Sequence, residues 1–313
     1  MSGPPAATAA VRLAVRRALR DLPPAAAVAV AVSGGADSLA LAAAVAFERP
    51  ASRAFVVDHA LQPGSSSVAI RAAEQCRTLG LVATVLTGSA VGASGGPEAA
   101  ARTIRYAALD AAAQAYGSVA VLLGHTRDDQ AETVLLGLSR GAGARALAGM
   151  AGVRGRYRRP LLQLDRAATR QACREAGLQP WHDPYNDDPA YARVRVRGEV
   201  MPVLEAALGP GVAAALARSA GQLREDADAL DALTPDLPVE PRCTELAALL
   251  PAVRARALKR WAEAATGLAL TSAHVDALRA LVERWRGQGP VALPGGGRVS
   301  RVEGRLTFAG DLG

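Results

Sequence analysis

The apolar run Val28-Ala29-Val30-Ala31-Val32 passes directly into Ser33-Gly34-Gly35-Ala36-Asp37-Ser38, and a helix-forming stretch follows over 38–47. An uninterrupted apolar run of this length reads as a strand buried on both faces, as in a parallel sheet covered by helices. Two glycines at its exit let the backbone turn sharply and present N–H groups to an anion, where the helix dipole adds favourable potential. The Ser33 and Ser38 hydroxyls can donate to phosphate oxygens. Asp37 cannot face phosphate unless a cation lies between, so Mg2+ is implied, with Asp37 as its ligand. The competing interpretation is an ordinary glycine turn with Ser38 capping a helix. Lys259 is the only lysine in the chain, which excludes a G-x-x-x-x-G-K-[ST] loop and with it a conventional P-loop NTPase.

The same alternation continues downstream. Strands are expected over 54–57, 82–86 and 119–123, and helices over 66–79, 97–116 and 127–138, after a short amphipathic helix over 12–20. Strands alternating with helices make βαβ units, so the fold class is α/β, a doubly wound parallel sheet with its site at the carboxyl edge. Beyond Gly141 the pattern loosens into a basic, strand-poor stretch over 154–160 and a Pro/Asp/Asn-rich loop over 181–189. Helical periodicity resumes over 198–230, and three prolines between 234 and 241 mark a linker. A smaller part follows, with helices over 246–265 and 272–286 and short strands flanking 294–297 and 302–305. The expected division is a catalytic domain over 1–205, a helical linker over 206–239 and a small, mostly helical C-terminal domain over 240–313.

Composition sets limits. With 50% hydrophobic and 21% charged residues the 313-residue chain is not disordered, and it exceeds the usual size of one domain. No apolar run reaches the roughly 18–20 residues of a membrane span. Arg12, Arg16, Arg17 and Arg20 before an apolar stretch imitate a secretion signal. The run into Ser33-Gly34-Gly35, after Pro23-Pro24, favours a buried strand instead, hence a cytoplasmic protein with no membrane partner. Cys76, Cys173 and Cys243 lie far apart, which argues against disulfides, a cysteine-rich zinc site or an iron–sulfur cluster. The net charge of +7 suits a polyanionic partner and equally an indifferent basic surface.

The Ser33–Ser38 loop resembles the pyrophosphate-binding loop of the ATP-pyrophosphatase (PP-loop) superfamily, whose members cleave ATP between the α and β phosphates and adenylate a carbonyl oxygen. Further segments narrow the resemblance. Val57-Asp58-His59-Ala60-Leu61-Gln62-Pro63 is similar to the V-D-H-G-L-R segment of tRNA(Ile)-lysidine synthases, with Ala60 and Gln62 as departures. Glu98-Ala99-Ala100-Ala101-Arg102-Thr103-Ile104-Arg105-Tyr106 resembles that family's E-x-x-A-R-x-x-R-Y helix. Gly124-His125-Thr126-Arg127-Asp128-Asp129-Gln130-Ala131-Glu132-Thr133 matches its G-H-x-x-D-D-Q-x-E-T segment at every fixed position. Arg159-Pro160-Leu161-Leu162 and Asp183-Pro184-x-Asn186 also match, and Arg193-Val194-Arg195 departs from R-N-R in the middle. The likeness spans residues 28 to about 205, and the paired cysteines of sulfur-transferring relatives are absent.

The resemblance implies that the chain adenylates the wobble cytidine of an isoleucine tRNA with the CAU anticodon. The amine of free L-lysine then attacks, leaving lysidine and releasing AMP and pyrophosphate. ATP binding would fall to Ser33, Gly34, Gly35, Ala36, Asp37 and Ser38. A lysine substrate needs acidic residues to hold its ammonium and accept a proton. Asp129 and Glu132, three apart on one helical face, are the candidates, against a solvated acidic helix start. Arg102 and Arg105 share a helical face suited to ATP phosphates or an RNA backbone, and Arg105 joins Asp37, Asp129 and Glu132 in the expected catalytic set. Arg195 and Arg197 are candidates for the tRNA backbone or the adenylate, and Arg254, Arg256, Lys259 and Arg260 for tRNA contact, with Arg284 and Arg286 beyond them. His59 and His125 more often stabilise turns than bind metal, and Trp181, Trp261 and Trp285 are more often core than stacking platforms. A homodimer is left open. Two competing functions stay in view: a PP-loop ligase acting on another tRNA or a small metabolite, and a nucleic-acid-binding protein with a degenerate ATP loop.

Overall fold

The computed structural model describes residues 3–58, 64–87 and 97–310. The chain forms two compact units, Met1–Arg224 and Glu225–Gly313. The first begins with α1 (Ala6–Ala18), β1 (Val28–Val32), α2 (Ala36–Glu48), β2 (Arg53–Asp58), α3 (Ser65–Thr78) and β3 (Val82–Thr87). Then come α4 (Pro97–Ala115), β4 (Ala120–Leu122), α5 (Arg127–Leu138), α6 (Ala144–Leu147), β5 (Val153–Arg154), β6 (Tyr157–Arg158) and α7 (Arg166–Glu175). Last are α8 (Ala192–Arg195), a π-helical turn Val196–Val200, α9 (Met201–Leu208) and α10 (Val212–Ala232), within which the boundary between units falls.

The sheet order is β3-β2-β1-β4-β6-β5, parallel throughout except that β5 runs antiparallel to β6. Side chains on β1 alternate as a pleated strand requires. Val28, Val30 and Val32 pack into a core with α1, α2, α3 and α7, while Ala29 faces Leu109, Ala112 and Ala113 of α4 on the other side. Both faces are therefore covered, which is why the run contains no polar residue. The chain passes from β3 to the far side of β1 at β4, so the carboxyl ends of β1 and β4 border the crevice where such sheets bind ligands.

Three departures from expectation have physical causes. The basic stretch over 154–160 contributes strands, because two of its arginines turn inward: Arg158 bonds Asp21 at 2.8 Å and Arg159 donates to the Ala151 carbonyl at 2.8 Å. The helix expected from 198 begins at Ala192 and breaks at Gly209, whose φ of +89° ends α9. Helix α7 was not expected at all. Asp165 caps it by accepting from the Ala168 amide at 2.7 Å, and Thr169, Ala172 and Cys173 form its buried face. Thr8 of α1 ties down its far end through Glu175 at 2.7 and 2.9 Å.

The second unit packs α11 (Cys243–Ala248), α12 (Pro251–Thr266) and α13 (Ser272–Glu283) with an antiparallel sheet, β7 (Val291–Ala292), β8 (Arg298–Val302) and β9 (Arg305–Ala309). Leu246, Leu258, Leu278, Leu281, Val299 and Leu306 fill its core, and Trp261 donates its indole N–H to the Val239 carbonyl at 3.1 Å. No single helix among the described residues is long and apolar enough to cross a membrane.

Candidate active site

The loop from β1 to α2 is held by its own serines. The Ser33 amide donates to Ser38 Oγ at 3.2 Å, and the Ser38 hydroxyl donates to the Gly35 carbonyl at 2.9 Å. Gly34 has φ +86°, a left-handed conformation that favours glycine, and its carbonyl accepts from the Trp181 amide at 2.9 Å. Gly124, just beyond β4, lies so close to the start of α2 that a Cβ would meet the Asp37 and Ser38 backbone at 3.2 Å. No side chain caps α2, whose N-cap is Gly35, so its first amides are left for an anion.

A cavity of about 760 Å3 opens beside this loop. Ser33 and Gly35 line it from the β1–α2 loop, Ala36, Asp37 and Ser38 from α2, Arg105 from α4, and His125 and Asp129 from the β4–α5 junction. Arg166, Arg170 and Arg174 come from α7, Trp181 and His182 from the following loop, and Arg193 and Arg197 from the α8 region. The expected phosphate loop, Arg105, Asp129 and Arg197 thus converge, although they are scattered over more than 160 residues of sequence.

The acidic pair at the start of α5 is not solvated. Asp129 closes a capping box with Thr126, accepting from its amide at 2.8 Å, and Arg166 bonds its other oxygen at 2.9 Å. Glu132 is 1% exposed. Arg197 grips it with two bonds of 2.8 and 3.1 Å, Arg166 reaches it at 3.3 Å, and Arg193 stands 3.7 Å away. It borders a smaller cavity of about 230 Å3 with Arg166, Arg197, Glu205 and others. Asp37 accepts from the Thr169 hydroxyl, and its other oxygen lies 3.9 Å from Arg166.

These surroundings set the charges. Burial raises the Asp37 carboxyl above its ordinary value, with Thr169 and Arg166 opposing. Burial pushes Asp129 the same way, but Arg166, Thr126 and His125 outweigh it and its pKa falls. Burial also depresses Arg105, and it lowers His125 to about 4 against the pull of Asp129, assisted by Arg159, Arg102 and Arg105. His125 is therefore a neutral imidazole near neutrality. Its Nδ1 is buried without a hydrogen-bond partner among the described residues, and the residue lines the cavity.

The remaining expected residues lie elsewhere. Arg195 is exposed and bonds the Ala190 carbonyl at 3.0 Å, outside the cavity lining. Arg102 reaches the Tyr106 hydroxyl at 3.4 Å. In the second unit Arg254 is only 8% exposed, bonded to the Ala247 carbonyl and to Glu283, both at 2.9 Å. Arg256 pairs with Asp231 at 2.9 Å, Lys259 with Glu263 at 3.7 Å and Arg260 with Asp236 at 3.1 Å. Arg254 is thus removed from solvent, and its three neighbours enter ion pairs. His59 lies outside the described residues, as does the glycine-rich stretch over 88–96. Arg166, Thr169, Arg170, Arg174 and Arg193 were not expected at the site. The signal for α7 was Asp165 as a helix cap, and Arg193 stood in a segment noted only for its departure from the family pattern.

Comparison with known proteins gives concordant results. Residues 8–204 match the family model described as a PP-loop domain, and residues 242–307 match the TilS substrate binding domain. A tRNA(Ile)-lysidine synthase of Thermobifida fusca (strain YX) is 52% identical over 99% of this chain and 100% of its own length. One from Streptomyces coelicolor is 49% identical over 98% of this chain and 99% of its own. Among solved structures, the U34-tRNA thiolase NcsA from Methanococcus maripaludis, with its [4Fe-4S] cluster, is similar at a TM-score of 0.59 and 18% identity. That match covers 70% of this chain and 80% of the thiolase, and it supports the fold alone.

Proposed function

The chain belongs to the tRNA(Ile)-lysidine synthase family, and from that premise we propose how its own residues carry out the reaction. The enzyme is an ATP-dependent ligase forming a carbon–nitrogen bond: ATP adenylates the wobble cytidine of tRNA(Ile), and an amine displaces AMP. In our proposal the glycine-loop amides and the uncapped start of α2 take the pyrophosphate portion of ATP. The donor set at Asp37, one cavity-facing carboxylate, fits a Mg2+ that draws its remaining ligands from phosphates and water. Bound there, the ion would neutralise charge developing on the leaving pyrophosphate.

Free L-lysine is the proposed nucleophile, with Asp129 and Glu132 reading its ammonium. Asp37, Asp129 and Glu132 already face Arg166, Arg193 and Arg197, so the carboxylates carry no surplus negative charge for a second cation. An anionic partner drawing the arginines off would free them, which favours lysine entering after ATP and tRNA. Arg105 and the neutral His125 face the same space and orient the base and the adenylate. We assign catalysis to residues 1–205, a linking role to 206–239 and tRNA recognition to 240–313, in a cytoplasmic enzyme.

The observation carrying this proposal is the convergence of the phosphate loop, Asp37, Arg105 and Asp129 on one cavity within a single chain. Exchange of labelled pyrophosphate into ATP tests it. Exchange that depends on tRNA(Ile) is expected, whereas exchange without any tRNA, driven by a small carboxylate or amide, would favour the metabolite ligase.

A further inference from the structure

The α12 cations singled out from sequence are engaged within the second unit. Between 225 and 240 the chain carries six acidic residues and no basic one, and two of those acids, Asp231 and Asp236, hold Arg256 and Arg260. The balance reverses further on: between 284 and 310 stand five arginines and a single acid, Glu303. The positive surface therefore belongs to the segment after α13.

That segment begins with Arg284-Trp285-Arg286. Both arginines are exposed, and among the described residues neither side chain makes a hydrogen bond or ion pair. Trp285 is 39% exposed, unlike Trp261 in the core. Its ring rests on Arg301, whose guanidinium carbon is 5.4 Å from the ring centroid. Arg301 is itself fixed, donating to the Leu281 carbonyl at 3.0 Å at the end of α13. That bond uses the negative end of the helix dipole, leaving Arg284 and Arg286 without it as a partner. Gln288 holds the turn, accepting from the Arg286 amide at 2.8 Å and donating to the Ala280 carbonyl at 3.1 Å. An aromatic ring backed by a fixed cation and flanked by two unpaired arginines is the arrangement that stacks a base and meets its neighbouring phosphates.

We propose that Arg284, Trp285 and Arg286 form an RNA-contact site of the second unit. An unpaired base of the tRNA stacks on the exposed side of Trp285, and the two arginines take the flanking phosphates. This rests on the assignment of tRNA recognition to residues 240–313.

The test uses the full chain, with tRNA(Ile) affinity measured against salt concentration. Arg284→Ala/Arg286→Ala should weaken binding at least about tenfold and reduce the salt slope by roughly 1.4 to 1.8, two phosphate contacts' worth. Trp285→Ala should weaken it about 5- to 150-fold with the slope unchanged, and Trp285→Phe should restore most of the loss. Arg242→Ala/Arg298→Ala removes two other exposed arginines of the same unit and should do less. Wild-type binding by the Trp285→Ala protein, or an equal slope change from the Arg242/Arg298 pair, overturns the proposal. Photo-crosslinks from bound tRNA separate the two layers. Crosslinks within 240–313 alongside unaffected variants sink this site alone, and crosslinks confined to 1–224 sink the assignment of recognition as well.

Discussion

Arginine serves different ends in the two units. In the first, Arg166, Arg193 and Arg197 converge on Asp129 and on a glutamate with almost no exposure, beside a cavity that also holds Asp37. In the second, Arg256 and Arg260 pair with acids of the preceding segment, and the partner of Arg260, Asp236, is 90% exposed in its side chain. A charge pair shielded from water couples strongly, and one in water hardly at all. The same residue type therefore surrounds buried carboxylates beside a cavity in one place and tethers a helix in the other, and neither arrangement follows from counting arginines.

The sharpest break between the units is chemical. Asp37→Asn keeps an acceptor for Thr169 but removes the carboxylate that would face Mg2+. Several kcal/mol of charge stabilisation are lost, so pyrophosphate exchange should fall on the order of a thousandfold with the thermal melt unchanged. Exchange at the wild-type rate would remove Asp37 from the site. Loss of any one α12 cation should leave exchange intact.

Next in size is the carboxylate inside the arginine cluster. Glu132→Gln keeps the shape but leaves Arg197 with only Asp129, 3.8 Å away, and Arg193 without its anion. These two arginine side chains are 31% and 33% exposed, so solvent offsets part of the penalty. A destabilisation of about 2 kcal/mol remains expected in denaturant melts, below the full cost of breaking a buried pair. The lysine requirement should rise more than the ATP requirement. Stability unchanged within experimental error would mean that this cluster is as solvated as the Arg260–Asp236 pair of the second unit.

A pH titration sharpens the contrast further. Burial holds His125 down to about 4 in the folded chain, against 6.5 ordinarily. As pH falls from about 6.5 toward 4, the unfolded chain binds a proton that the folded one refuses, so stability declines across that window. His125→Asn should remove that part of the decline. A variant whose stability falls just as steeply would show that the imidazole is not desolvated.

The smallest effect belongs to the second unit. Arg260→Ala, breaking the bond to exposed Asp236 and those to the Thr234 and Asp231 carbonyls at 3.3 and 3.1 Å, should cost about 1 kcal/mol or less. A loss near that of Glu132→Gln would erase the distinction between the two environments.

What sequence revealed follows the same division. The strand, loop and helix around Ser33–Ser38 were legible because apolar continuity and glycine placement are local properties, and the α5 carboxylates because three-residue spacing fixes a helical face. Helix α7 was hidden, since its buried face is Thr169, Ala172 and Cys173, too small and too polar to mark a period. With it went Arg166, the cation that touches both carboxylates at the start of α5. The burial of Arg254 against Glu283 and the pairing of Arg260 with Asp236 join residues 29 and 24 positions apart, and no spacing rule announces such partners. Trp285 was expected in the core because tryptophan usually is. It is instead 39% exposed, its ring against Arg301, which donates to the Leu281 carbonyl in the last turn of α13.

We propose that one cavity in this chain both activates the wobble cytidine and delivers lysine to it. Mass spectrometry of the wobble nucleoside tests it most directly, after incubating tRNA(Ile), ATP, Mg2+ and lysine with the protein. Lysidine should form only when all four are present, and a protein carrying Asp37→Asn should leave cytidine unmodified. Unmodified cytidine with the wild-type chain, or lysidine formed equally well by the Asp37→Asn protein, would contradict the account.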